Sequence, residues 1–106
     1  MTMTAAEAIK QADEILPYAK VWVRKTLPQF DDEVRQTLAA CLLDLQNAGV
    51  CKLSVTDPLI QQAAKLYLKA HFGYDEKSDK WAQAYEYLKI SLSMSSDYAG
   101  GVQIDT

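Results

Sequence analysis

The chain has 106 residues, 49% hydrophobic and 24% charged, which fits one domain with a modest core and leaves no room for a second, catalytic one. Eleven basic residues against fourteen acidic give a net charge of -3, so the surface as a whole does not attract nucleic acid phosphates or anionic lipid. Residues 36–43 (QTLAACLL), the longest run without charge, fall far short of the roughly 20 residues of a membrane span.

Glu7, Lys10, Asp13 and Glu14 interrupt the N-terminal segment where a secretory signal would be apolar, so a soluble, unexported protein is expected. Within that segment Ala5, Ala8, Ile9, Ala12, Ile15, Leu16, Ala19, Trp22 and Val23 recur at spacings of three and four. The spacing predicts an amphipathic helix over 4–26, with Pro17 as the point where it kinks or breaks. Lys20, Arg24 and Lys25 sit near its end, where the helix dipole accounts for a basic cluster without any nucleic acid.

Pro28 ends that helix, and Asp31, Asp32 and Glu33 supply the N-cap and first-turn acids of a second, over 31–48. Its stripe is Val34, Leu38, Cys41, Leu42, Leu45 and Ala48, and Gly49 stops it as a left-handed cap. Residues 50–56 (VCKLSVT) alternate and are β-branched, which predicts an extended connector or a short strand. Asp57 and Pro58 open a third helix, 58–72, closed by Gly73. Ser78 is expected to cap a fourth, 79–95, with Trp81, Ala84, Tyr85, Leu88 and Leu92 in register. The fold class is all-α: about four helices in one domain, 1–98, followed by a flexible tail, 99–106. Cys41 and Cys51 read as free thiols, Cys41 in the core.

Aromatic residues crowd the third and fourth helices. Phe72 and Tyr74 flank Gly73, while Trp81 and Tyr85 share a face, an arrangement that reads as a core corner and not a ligand cage. Tyr87 lies off that stripe and is the aromatic there that is placed to face a partner. Asp75, Asp79 and Glu86 have the spacing of a calcium loop, but Lys77 takes a ligand position and Lys80 replaces the required glycine. His71 has no cysteine pair or serine motif beside it. No phosphate-binding glycine motif, zinc motif or redox C-x-x-C occurs. No catalytic, cofactor-binding or metal-ligating residue is expected, and no cofactor.

The segment YAGGVQIDT breaks the fourth helix with two glycines and then offers Val102 and Ile104, which have no place in a four-helix core. Tyr87, Tyr98, Val102 and Ile104 are therefore the candidate assembly residues.

Residues 30–98 resemble a known family in the order of their features: FDDEVRQTLAACLLDLQNAGV, then Asp57 and Pro58 opening a helix, Tyr67 and Lys69 ahead of FGYD, and Ser96 and Tyr98 near the close. The resemblance is to the small head-tail connector proteins of tailed bacteriophages, often labelled DNA-packaging proteins. It is weakest over MTMTAAEAIKQADEIL. It implies a non-catalytic virion subunit, present in the host cytoplasm during assembly. Such subunits form a homo-oligomeric ring, commonly of twelve, beneath the portal protein. The ring extends the DNA channel without sequence-specific binding, away from any membrane, and carries the next connector, stopper or tail protein.

Two other readings come from the residues. A helix-turn-helix regulator would use helices two and three, but the 49–56 connector is longer than the usual turn and helix three offers only Lys65 and Lys69. An enzyme acting through Cys51 lacks a base at a meaningful spacing.

Overall fold

The structure is a computed structural model that describes residues 2–73 and 77–99. Helix α1 (Ala5–Trp22) opens on a capping box in which the Thr4 hydroxyl accepts the Glu7 amide and the Glu7 carboxylate accepts the Thr4 amide, satisfying two donors that a helix start leaves over. It runs through Pro17 without a break. Proline costs the helix one amide donor, but Pro17 lies on the exposed face, where water can take up the freed carbonyl. The helix stops short of the predicted 4–26 because Arg24 turns left-handed, with φ 57°. The Arg24 amide then donates to Val21 and the Lys25 amide to Lys20, at 3.2 and 2.8 Å, the paired bonds of a Schellman close.

A 3-10 turn, Pro28–Phe30, feeds straight into α2 (Asp31–Asn47), so Asp31 is the first helical residue and Phe30 takes the cap position without a side-chain bond. The acids predicted to cap α2 mostly clamp it: Asp31 pairs with Lys20 of α1, and Arg35 spans Asp32 and Asp13 of α1. At the other end Gly49 has φ 104°, and the Gly49 and Val50 amides return to Gln46 and Leu45, both at 3.0 Å. This is the left-handed cap that the sequence announces.

Residues 50–54 form a connector without regular structure and 55–57 a turn, in which the Asp57 amide donates to the Ser54 carbonyl at 3.1 Å, with no strand among the described residues. Val50, Leu53 and Val55 are buried from it. Its polar backbone is satisfied from elsewhere: the Cys51 and Lys52 amides donate to the Tyr98 carbonyl, the Val55 amide to Gln11, and the Gln61 amide side chain to the Val55 carbonyl.

Asp57 caps α3 (Pro58–Phe72), its carboxylate accepting the Leu59 and Ile60 amides at 2.9 and 3.3 Å. Gly73 ends α3 in extended geometry. A Cβ there would stand 2.5 Å from the Ser78 hydroxyl and 2.6 Å from the Lys69 carbonyl, so close approach, not backbone handedness, requires the glycine. Ser78 is the first residue of α4 (Ser78–Met94) and Lys77 its cap, against the expectation that Ser78 caps; its side chain is held against Gly73 instead.

Helix α1 packs on α2 and α3 on α4, and contacts of α3 with α1 and α2 join the two pairs. Leu38, Leu42, Leu45, Ile60 and Leu68 are fully buried between them, each contributing about 1.5–3 kcal/mol. Only Tyr85 and Leu92 are buried from α4. It is therefore an edge helix, with one face on the core and the other on solvent.

Candidate assembly surfaces

A polar anchor fixes the rotation of α4. The Tyr85 hydroxyl, on a ring only 3% exposed, donates to Asp44 of α2 at 2.7 Å, and Lys89 donates to the same carboxylate oxygen at 3.0 Å. Burial pulls the Asp44 carboxyl up, but the Tyr85 hydroxyl and the Lys89 ammonium hold it below the usual range. Burial pushes the Tyr85 hydroxyl up, reinforced by Cys41 and Asp44. Cys41, its thiol 3.9 Å from that hydroxyl, is pushed up to about 12 by burial, an inert core thiol. Tyr67 meets Tyr85 edge-on and stacks on the exposed His71.

With Tyr85 and Lys89 turned inward, the opposite face of α4 presents Tyr87, Ile90 and Met94, exposed by 77%, 52% and 80%. Positions i, i+3 and i+7 lie on one side of a helix, so the three side chains form a stripe. A shallow depression of about 300 Å³ lies along it, lined by Ala82, Gln83, Glu86, Tyr87 and Ile90. Tyr87 is thus exposed as expected. The sequence reading missed Ile90 and Met94, although their spacing from Tyr87 was there to read. A second, unlike apolar stretch, Tyr18, Val21 and Leu27, is exposed along α1 and just beyond it.

Tyr98 is held within the chain. Its hydroxyl donates to the Asp57 carboxylate at 2.9 and 3.0 Å, and its carbonyl accepts the Cys51 and Lys52 amides. The Lys52 ammonium lies 5.2 Å from the Tyr98 ring centroid and 3.7 Å from Asp57. Burial raises the Asp57 pKa, yet the bonds from Tyr98, Leu59 and Ile60 bring it below the ordinary value. Val102 and Ile104 lie outside the described residues.

The aromatic corner is only partly core. Tyr85 is buried, whereas Trp22, Phe72 and Trp81 are half-buried and line a cleft of about 260 Å³ with Val23, Arg24, Lys69 and Gly73. Lys69 lies 4.9 Å from the Trp81 ring centroid and Lys65 5.5 Å from that of Trp22, so the two lysines nominated for DNA contact rest on indole faces. Tyr74 lies outside the described residues. No helix among them is long and apolar enough to cross a membrane.

What these residues define is an all-helical protein with exposed apolar stretches on α1 and α4 and a cationic, aromatic cleft at one end of α3. The model of the phage connector protein family matches residues 15–99, and the chain belongs to that family, a structural one. The match begins where MTMTAAEAIKQADEIL, the stretch of weakest resemblance, gives way. No curated protein and no solved structure matches the chain.

Proposed function

We propose that the protein is a head-tail connector subunit that assembles as a ring under the portal, continues the DNA channel and carries the next connector, stopper or tail protein. Membership of the connector family over residues 15–99 carries this reading. A closed ring needs two unlike patches that meet between neighbours. The α4 stripe of Tyr87, Ile90 and Met94 and the α1 stretch of Tyr18, Val21 and Leu27 supply such a pair, one copy's α4 resting on the next copy's α1. The net charge of -3 suits a wall past which DNA slides without adhering.

Co-sedimentation with portal rings from the same phage tests the reading. The wild-type chain should travel with the rings, and the double variant Ile90→Asp, Met94→Asp should not, while keeping its helical circular dichroism because both side chains point away from the core. A wild-type chain that stays in the supernatant, or a double variant that binds as well as wild type, contradicts it.

A further inference from the structure

Helix α4 ends at Met94, earlier than its sequence requires. Ser95, Ser96, Asp97, Tyr98 and Ala99 include neither glycine nor proline, and the helix-breaking Gly100 and Gly101 come only after them. The stop coincides with a tertiary contact. Ser95 turns extended, with ψ 128°, and its carbonyl accepts the Tyr98 and Ala99 amides at 3.1 and 2.7 Å, a turn that carries Tyr98 across to the connector and the start of α3.

Among the described residues, Tyr98 makes every hydrogen bond that joins this turn to the connector and α3. Its carbonyl accepts the Cys51 and Lys52 amides at 2.7 and 3.1 Å, and its hydroxyl donates to Asp57. Release strands no group: Cys51 and Lys52 are exposed, so water can reach their amides, and Asp57 keeps the Leu59 and Ile60 amides and Lys52. The attachment can therefore open while the four helices stay folded.

A second state is written in the spacing. Were α4 to continue for one more turn, Tyr98 would follow Tyr87 at i+11, about 20° away from it round the helix at 100° per residue. It would then join Tyr87, Ile90 and Met94 on the exposed apolar stripe. Two serines and an aspartate at a helix C-terminus are weak helix formers, and the aspartate opposes the dipole, so the added turn needs a surface against which Tyr98 can pack.

We propose that residues 95–98 are a two-state segment, latched on the connector in the free subunit and wound as a last turn of α4 in the assembled one; the assembled state rests on the ring reading above, whereas the two conformations do not. A subunit outside the ring thus keeps one aromatic of its α4 stripe tied to Asp57, and contact at the stripe draws it out.

The free chain is measured first. Native-state amide exchange should find Cys51 and Lys52 about 100-fold less protected than Leu42 and Leu45 of α2. Equal protection would mean that the latch opens only with the whole fold, and overturns the inference. The variant Ser96→Ala, Asp97→Lys, Tyr98→Phe favours the wound state at two exposed positions and removes the bond to Asp57. Its Cα chemical shifts should turn helical from Ser95 to residue 98, with a further loss of protection at Cys51 and Lys52 while Leu42 and Leu45 stay protected. Shifts that remain non-helical beyond Met94 overturn the inference as well. Mixed with portal rings, the variant should bind about tenfold more tightly than wild type, because the latch no longer competes. On the rings the wild-type chain should exchange faster at Cys51 and Lys52 and slower at 96–98. Binding of the variant no tighter than wild type, or protection that rises at Cys51 and Lys52 on the rings, overturns the assembled state. If both chains ignore the portal while the variant's shifts turn helical, the ring reading falls and the two conformations stand.

Discussion

The two ends of α3 are built on opposite terms. At its start every charged group has its partner in the same chain: Asp57 takes the Leu59 and Ile60 amides and the Tyr98 hydroxyl, with Lys52 alongside. At its end Arg24 and Lys69 line a cleft with two half-buried tryptophans, Lys65 reaches the Trp22 ring from the middle of the helix, and none of the three has a carboxylate partner among the described residues. A polar group satisfied within the chain maintains the fold, whereas a cluster of cations and indoles left open is free to be satisfied by another molecule. The difference separates the residues that should matter for stability from those that should matter for assembly.

The largest stability effect should come from the closed end. Asp57→Ala removes an N-cap and the acceptor of the Tyr98 hydroxyl together, and should cost about 2–3 kcal/mol in denaturant unfolding. A loss below about 0.5 kcal/mol would mean that the closed end does not hold the fold. Lys69→Glu at the open end should leave unfolding within about 0.5 kcal/mol of wild type.

Acid sharpens the same contrast. Asp57 and Asp44 both titrate below their ordinary values in the folded chain, so the unfolded state takes up protons first as the pH falls. Their contribution is complete above the unfolded carboxylate value of about 4 and is lost below it, as the pH drops through the folded values. The melting temperature should therefore hold between neutrality and about pH 5 and fall beneath about pH 4, with a shallower fall in Asp57→Ala. An acid slope identical in variant and wild type would assign the sensitivity elsewhere.

The smallest effect has the opposite sign. Arg24→Gly relieves left-handed backbone at the close of α1 and should stabilise the chain by about 0.5–1 kcal/mol.

Much of this was legible in the sequence where one residue type does one job. Gly49 and Asp57 announced their caps, Asp57–Pro58 the start of α3, and the apolar spacing of Val34, Leu38, Leu42 and Leu45 the buried face of α2. Boundaries were misread where tertiary contacts decide. Arg24 ends α1 in a conformation that its side chain does not advertise, and Asp31 and Ser78 look like caps but are drawn to Lys20 and Gly73. Tyr98 was legible as a residue beyond the helices, but its bond to Asp57, 41 positions away, leaves no local trace. Trp81 and Phe72 read as core because helical spacing marks a shared face without saying whether anything covers it. The same limit hid Ile90 and Met94, whose exposure becomes evident once Tyr85 and Lys89 are seen to turn inward.

The central claim is that this subunit closes into a ring on the portal. A native mass spectrum of the 11.8 kDa chain, alone and mixed with portal rings, measures it directly. The account predicts added mass that appears as one closed multiple of the chain, about twelve copies if the number common among connectors holds. Monomers or a stable dimer that leave the portal mass unchanged would contradict it.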